Sequence, residues 1–310
     1  MEQGITISSN GTATPDTTDL PPGSKVSPIN ITRGPNADMK TTMDVHVGPS
    51  PNANGTQQAN MTNTLTNATT KSSLAINDTT IYNKGLALYR LGNYTGAILY
   101  YDKVLAIDPT DVHALTDKGV ALRDLGNYTG AIEYYDKALA IDPKHENALY
   151  YKGELLVALG NYNGAMLYFD RVLAIDPKDV AALEDKGLSL EKLGNYTGAL
   201  LYYDKALAID PKHENALFNK GVALGRLGNY TEAIEYFDKA LAINPQDAVA
   251  LNNKGAALIN LGNYTQALPY IDRALAIDPN DKDALNDKGW ALDGLGNYTE
   301  AIPYLDRALV

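Results

Sequence analysis

The feature that most constrains this chain is a seven-residue phrase that returns at a fixed interval. LGNYTGA occupies residues 91–97, recurs verbatim at 125–131 and 193–199, and has close copies beginning at 159, 227, 261 and 295. The seven starting positions are evenly spaced along the chain. A fixed period of this kind is typical of proteins in which each structural unit stacks on its neighbours. The sequence therefore predicts a repeat array, not a domain with one central core.

The repeats are numbered here from position 1 to position 34, with Asp78 at position 1 of the first repeat. Position 8 is then always glycine, position 11 always leucine and position 20 always alanine. The predicted array covers 78–310 and contains seven repeats: 78–111, 112–145, 146–179, 180–213, 214–247, 248–281 and 282–310.

The spacing within a repeat predicts two helices. Ile81, Leu88 and Leu91 recur at helical intervals and predict the apolar face of a first helix, which Gly92 ends. Thr95 is the predicted N-cap of the second helix, and the proline at position 32 ends that helix. Aspartates stand where the next first helix needs an N-cap: Asp111, Asp179, Asp247 and Asp281.

This pattern resembles the tetratricopeptide repeat, which reads W-x2-L-G-x2-Y, then A-x3-F, then P, with the same period as this chain. The first repeat here reads Ile81-x2-Lys84-Gly85-x2-Leu88, then Ala97-x3-Tyr101, then a proline. The resemblance implies an all-α fold, a right-handed superhelical solenoid of helix–turn–helix repeats. It also implies that the first helices line a concave groove in which a partner lies.

Two charged positions depart from the family pattern or add to it. Position 7 is lysine and position 25 is aspartate in all seven repeats. One interpretation is a ladder of ion pairs, within repeats or between them. The other is that the lysine stems cover apolar surface while their ammonium groups stay in water.

Residues 1–77 have a different composition. They are rich in Thr, Asn, Ser, Pro and Gly, contain no aromatic residue, and carry five acids and four bases. Such a segment buries too little apolar surface to offset its ordering entropy, so we expect a disordered tail. It also provides a candidate self-ligand for the groove.

Both regions contain N-x-Thr, the acceptor sequence for N-glycosylation. In the tail the asparagines are Asn10, Asn30, Asn54, Asn60, Asn67 and Asn77, and in the repeats Asn93, Asn127, Asn195, Asn229, Asn263 and Asn297. In the repeats, turn and cap chemistry explains the same letters without sugar. The acceptors favour an extracellular or cell-surface location, whereas the lack of a visible secretory signal in the first residues favours the cytoplasm.

Catalytic chemistry is not expected. The chain has no cysteine and no phosphate-loop, nucleophile-elbow or metalloprotease motif, so we predict a protein without enzyme activity, cofactor or metal. Of the formal net charge of −11, the array carries −10, which disfavours nucleic acid and favours neutral or basic partners. No apolar run is long enough to insert into a membrane.

The resemblance implies a scaffold that binds protein or peptide segments in the groove. The candidate contact residues stand at positions 5, 6 and 9: Tyr82, Asn83, Asp117, Tyr150, Tyr151, Glu154, Asp185, Phe218, Asn219, Asn253, Asp287 and Trp290. The alternative is a glycosylated surface or filament-forming protein. In that case head-to-tail association would use uncapped terminal repeats, where Ile302, Leu305 and Leu309 are expected to be uncovered.

Overall fold

A computed structural model describes residues 79–309. This part of the chain contains fourteen α-helices, and its strand-free architecture confirms the all-α repeat prediction. It divides into two compact units, residues 79–189 and residues 190–309, which are treated separately below. The predicted disordered tail, its six acceptor asparagines and Val310 lie outside the described residues.

The helices alternate between a first and a second helix of each repeat. The unit 79–189 contains α1 (79–90), α2 (Tyr94–Ile107), α3 (Val112–Asp124), α4 (Tyr128–Ile141), α5 (Glu146–Ala158), α6 (Tyr162–Ile175) and most of α7 (Val180–Lys192). The unit 190–309 contains the end of α7 and then α8 (Tyr196–Ile209), α9 (Glu214–Arg226), α10 (Tyr230–Ile243), α11 (Ala248–Asn260), α12 (Tyr264–Ile277), α13 (Lys282–Gly294) and α14 (Tyr298–Ala308).

The first helices begin and end as the sequence predicts. Asp111 caps α3, its Oδ1 atom accepting hydrogen bonds from the backbone N–H groups of His113 and Ala114 at 2.9 Å each. At the other end of α3, Gly126 has φ +79°, a left-handed conformation that only glycine adopts without strain. The glycine at position 15 has φ between +74° and +80° in all seven repeats, so it ends each first helix.

The cap of the second helix differs from the prediction. The N-cap of α2 is Asn93, not Thr95, and the Asn93 Oδ1 atom accepts a hydrogen bond from the backbone N–H of Gly96 at 2.9 Å. This bond needs glycine at position 19, because a Cβ on Gly96 would lie 2.9 Å from the Asn93 side chain. Repeats five to seven carry Glu or Gln there, and their asparagine side chains make no cap hydrogen bond.

The prediction that Leu91 belongs to the buried face of the first helix is wrong. Leu91 lies beyond the last residue of α1 and is 81% exposed. The leucine at position 14 is also exposed in the other six repeats: Leu125, Leu159, Leu193, Leu227, Leu261 and Leu295. The turn after the helix directs this side chain outward, so helical spacing alone does not describe it.

The two helices of a repeat approach each other at the glycine of position 8. A Cβ built on Gly119 would lie 2.6 Å from Cε1 of the Tyr135 ring, and one on Gly153 would lie 2.8 Å from Cε1 of Phe169. Tyr135 and Phe169, both at position 24, are completely buried. The missing side chain thus provides the space in which the ring of the second helix packs.

The lysines of position 7 form a ladder between repeats. In unit 190–309 the Lys220 ammonium is paired with Asp204 of the preceding repeat, and it also donates to the Tyr236 hydroxyl of its own repeat at 2.7 Å. Lys288 is likewise 2.8 Å from Asp272 of the preceding repeat. The lysine side chains in these pairs are only 7 to 16% exposed, whereas the aspartates are about half exposed. The ladder interpretation is therefore confirmed, with ion pairs between repeats.

Replacing Gly119 with alanine is expected to destabilise the unit 79–189. The new methyl group would collide with the Tyr135 ring, and overpacking of this kind costs about 1–3 kcal/mol. Gly130→Ala is the comparison, because its new methyl group would lie 2.8 Å from the flexible Asn127 side chain and would remove a cap hydrogen bond but no buried packing contact. Urea unfolding followed by circular dichroism should show a larger decrease in the midpoint for Gly119→Ala than for Gly130→Ala. Equal midpoints for Gly119→Ala and the unchanged protein would contradict the contact.

Replacing Lys220 with methionine should weaken the joint between neighbouring repeats. Methionine keeps much of the apolar stem but loses the ion pair with Asp204 and the hydrogen bond to Tyr236. Because Asp204 is half exposed and can be rehydrated, we expect a loss of only about 1 kcal/mol. Lys212→Met, at an exposed loop position, is the matched control. If both variants unfold at the same urea concentration, the ladder contributes nothing to stability.

Candidate functional site

The candidate site is the first-helix face, defined as the side of each first helix that carries positions 5, 6 and 9. Glycine at position 8 faces the second helix of its own repeat. At about 100° per residue, position 6 projects away from that contact, whereas position 5 is only about 60° from position 8. Position 5 accordingly packs on the second helix, since the ring centroids of Tyr82 and Tyr101 are 6.0 Å apart, as are those of Phe218 and Phe237.

In the unit 79–189, hydrogen bonds connect this face from one repeat to the next. The Tyr82 hydroxyl donates to Asp117 Oδ2 at 2.6 Å, and the Tyr150 hydroxyl donates to Asp185 Oδ2 at 2.8 Å. Each bond joins position 5 of one repeat to position 6 of the next. Asp117 and Asp185 are buried, whereas Asn83 is exposed. The structure thus brings four predicted residues together as two tyrosine–carboxylate pairs.

A second network in this unit includes residues that the sequence reasoning missed. The Arg123 guanidinium donates from Nη1 to Glu154 Oε2 at 2.6 Å and from Nε to Asp124 Oδ1 at 2.8 Å. Tyr89 donates its hydroxyl hydrogen to Asp124 Oδ2 at 2.6 Å, and the guanidinium lies 5.7 Å from the centroid of the Tyr151 ring. Arg123 stands at position 12, outside the positions considered, but one helical turn from position 9.

In the unit 190–309 the first-helix face is richer in amides. Asn252 Nδ2 donates to Asp287 Oδ2 at 3.1 Å, again joining position 5 to position 6 of the next repeat. Asn253 Nδ2 instead donates to the carbonyl of Val249 in its own helix at 2.9 Å. Phe218 is buried, as is Asn219, and Trp290 donates from Nε1 to Asn286 Oδ1 at 3.2 Å.

Burial dominates the electrostatics of the carboxylates. It raises the pKa of Asp117 to about 6, although the hydrogen bond from Tyr82 acts in the opposite direction. Burial also raises the pKa of Asp185 to about 7, and the nearby Glu154 charge adds to this increase. Burial therefore disfavours the charged form of both carboxyl groups.

Glu191 is a further buried acid, which no sequence pattern singled out. It lies near the end of α7, in the unit 190–309, and its Oε2 atom accepts a hydrogen bond from the Tyr203 hydroxyl at 3.0 Å. Burial raises the pKa of Glu191 to about 7.

The remaining predicted features have the following positions. The asparagines of the six repeat acceptor sequences are all exposed, which leaves glycosylation a prediction. Ile302 is 56% exposed and Leu309 is 85% exposed, whereas Leu305 is half-buried.

Between residues 79 and 309, no three His, Asp or Glu side chains are grouped as a metal site would require. In the same range, no helix combines the length and hydropathy needed to cross a membrane.

Comparison with protein families assigns the fold. Models described as tetratricopeptide repeat match residues 80–111, 100–133, 122–186, 184–248, 224–284 and 258–309. These matches run without a gap from residue 80 to residue 309, in agreement with the helix pairs and the glycine contact described above. The chain belongs to the tetratricopeptide repeat family. Comparison with curated proteins gives no match.

Solved structures agree with this fold. The type IV pilus biogenesis factor PilW superposes with a TM-score of 0.62 at 24% identity, over 67% of this chain and 96% of PilW. A tetratricopeptide repeat protein from Parabacteroides merdae gives 0.59 at 18% identity, over 75% and 99% of the two chains. YrrB, described as having an unusual peptide-binding site, gives 0.51 at 26% identity, over 61% of this chain and 97% of YrrB.

The raised pKa values predict a particular pH dependence. Folded Asp185, with a pKa of about 7, keeps a proton that the unfolded chain releases near the ordinary aspartate pKa of 3.8. The folded state is therefore favoured at lower pH, and its stability should fall as the pH rises from 3.8 to about 7. For Asp185 we expect a loss of about 2 kcal/mol between about pH 5.5 and about pH 8.

Asp185→Asn tests this assignment because asparagine accepts the same hydrogen bond from Tyr150 without titrating. Urea midpoints measured across the same interval should change less in Asp185→Asn than in the unchanged protein. Glu235→Gln, which removes an exposed carboxylate from α10, should leave the dependence as it is. An Asp185→Asn variant with the full original pH dependence would refute the assignment.

Proposed function

We propose that this protein is a non-catalytic interaction scaffold that binds extended peptide or protein segments along its first-helix face. The observation that carries the proposal is the row of amide, carboxylate and phenol side chains at positions 5 and 6. Amides offer both a donor and an acceptor to a peptide backbone, and carboxylates accept from cationic side chains.

Charge indicates the kind of segment. The array carries a net charge of −10, and in the unit 79–189 the first-helix face includes Asp117 and Asp185, while the charge of Glu154 is paired with Arg123. A basic or neutral segment meets no repulsion there, whereas an acidic one does. Lysine and arginine are absent from positions 5, 6 and 9, so the face offers no cation at those positions to an acidic ligand.

The relatives support the general use of the fold. YrrB, described as a tetratricopeptide repeat protein with a peptide-binding site, is 26% identical over 61% of this chain. This likeness supports a binding role but does not assign residues. The contacts expected in this protein follow from its own first-helix face.

The proposal can be tested with three fluorescent peptides of equal length and apolar content, one basic, one neutral and one acidic. Fluorescence anisotropy at low ionic strength should show binding in the order basic, neutral, acidic. Added salt should weaken binding of the basic peptide most, because exposed charge contacts are screened.

Asp117→Asn is the variant that locates binding on the first-helix face. It keeps an acceptor for Tyr82 but removes a charge, so affinity for the basic peptide should fall by about three- to tenfold. Glu235→Gln removes one carboxylate from the exposed side of a second helix and is the matched control. Equal losses in both variants would mean that binding reflects overall charge, and no binding by any peptide would reject the proposed function.

A further inference from the structure

Within each unit, consecutive repeats meet through the same set of side chains. The residue at position 10 joins the apolar cluster that positions 20 and 24 of the preceding repeat form: Ala121 with Ala97 and Tyr101, Leu155 with Ala131 and Tyr135, and Ala223 with Ala199 and Tyr203. In addition, the lysine of position 7 pairs with the aspartate of position 25 in the preceding repeat. These interfaces therefore combine an apolar cluster with an ion pair.

The α1 end, defined as Ile81, Lys84 and Ala87, presents one side of this interface to solvent. Ala87 at position 10 is exposed, whereas position 10 is at most 1% exposed in the six following repeats. Lys84 at position 7 is also exposed, although the paired lysines of the ladder are nearly buried. Ile81 at position 4 is half-buried, while the leucine of that position is buried in the other repeats.

The α14 end, defined as Leu305, Asp306 and Leu309, presents the other side. Leu305 at position 24 is only half-buried, although position 24 is completely buried in the six preceding repeats. Leu309, the C-cap residue of α14, is 85% exposed. The ion pairs of the ladder use the lysines of repeats two to seven and the aspartates of repeats one to six. Lys84 and Asp306 are thus the two members of the pattern that the ladder does not use.

We propose that the α14 end of one copy of this protein binds the α1 end of a second copy, in the register of the interfaces within the array. Asp306 pairs with Lys84 of the second copy, and Ala87 of the second copy joins Leu305 and Ala301. This association is separate from the proposed peptide binding, because it uses the two ends of the array and not the first-helix face.

The two ends suit each other in charge and in size. A cation meets an anion, and the small Ala87 meets the larger Leu305, as Ala121 meets Tyr101 within the array. The paired lysines of the array are only 7 to 16% exposed, so the new pair also loses most of its water. A like charge at this contact is therefore costly. Burial of the apolar side chains drives the association, and the ion pair selects the register.

The contact is heterologous, since each copy contributes a different surface and can bind a further copy at each end. Sedimentation equilibrium of the full chain tests it, at about 0.15 M salt to screen the repulsion between acidic copies. A range from about 1 μM to about 300 μM covers moderate and weak association. The weight-average mass should rise with concentration above 33.4 kDa, the mass of one copy. A mass of one copy throughout would overturn the proposal.

Charge reversal tests the register. Lys84→Glu and Asp306→Lys each place like charges at the contact, so each variant alone should associate at least about tenfold more weakly than the unchanged protein. An equimolar mixture of the two variants should recover the association, because in an alternating assembly every contact again joins opposite charges. Lys144→Glu makes the same charge change as Lys84→Glu at an exposed loop position of the same unit, and it should associate like the unchanged protein.

Ala87→Glu tests the apolar half of the contact. It places a charge where the cluster of the other copy packs, so association should be lost. Because Ala87 is exposed, the urea midpoint should not change. Association that persists in Ala87→Glu or in both charge variants would assign it to another surface. A mixture that associates as weakly as its components, or an equal loss in Lys144→Glu, would likewise overturn the head-to-tail contact.

Discussion

The architecture depends on the contact between the glycine of position 8 and the side chain of position 24. With no Cβ on the first helix, the ring of the second helix lies directly against the first-helix backbone. The contact persists where the ring is replaced, since a Cβ on Gly255 would lie 2.5 Å from Ile271 and one on Gly289 would collide with Leu305. What is constant is therefore the absence of a side chain at position 8. Its partner needs only to be large and apolar.

The geometry of the lysine ladder follows from this contact. The lysine, tyrosine and aspartate of the ladder are adjacent in sequence to the two residues that form the contact. Lysine at position 7 precedes the glycine, and tyrosine at 23 and aspartate at 25 flank the packed side chain. Lys254, for example, lies 4.0 Å from the centroid of the Tyr270 ring in its own repeat and pairs with Asp238 of the repeat before. The lysine side chain thus contacts the second helix of its own repeat and that of the preceding repeat. This is a nearest-neighbour arrangement, in which stability accumulates from one interface to the next.

Much of the fold can be predicted from the sequence because the same local signals recur in every repeat. The two helices, the glycine stop and the aspartate caps are local effects, and all were predicted. The Asn93 cap was not, because it depends on whether position 19 has a side chain, a contact that propensities do not describe. The partner of each lysine was also undetermined. Asp102 precedes Lys118 and Asp136 follows it at a similar separation, and only the stacking of the repeats decides that Asp102 pairs with it.

The candidate site was less predictable because its bonds also depend on stacking. Family resemblance indicates positions 5, 6 and 9, but the bonds from Tyr82 to Asp117 and from Asn252 to Asp287 join consecutive repeats. The residues at positions 7, 8, 23 and 25, which the stacking contacts require, do not vary along the array. Positions 5, 6 and 9 do vary, with carboxylates prominent in the unit 79–189 and amides in the unit 190–309. Position 5 contributes to packing within the repeat, as Tyr82 does on Tyr101, whereas position 6 accepts hydrogen bonds from the preceding repeat, as Asp117 does from Tyr82. A carboxylate favours a cationic side chain, whereas an amide accepts a backbone N–H whatever the side chain. In the proposed function, the unit 79–189 would therefore select a ligand by its charge and the unit 190–309 by its backbone N–H groups.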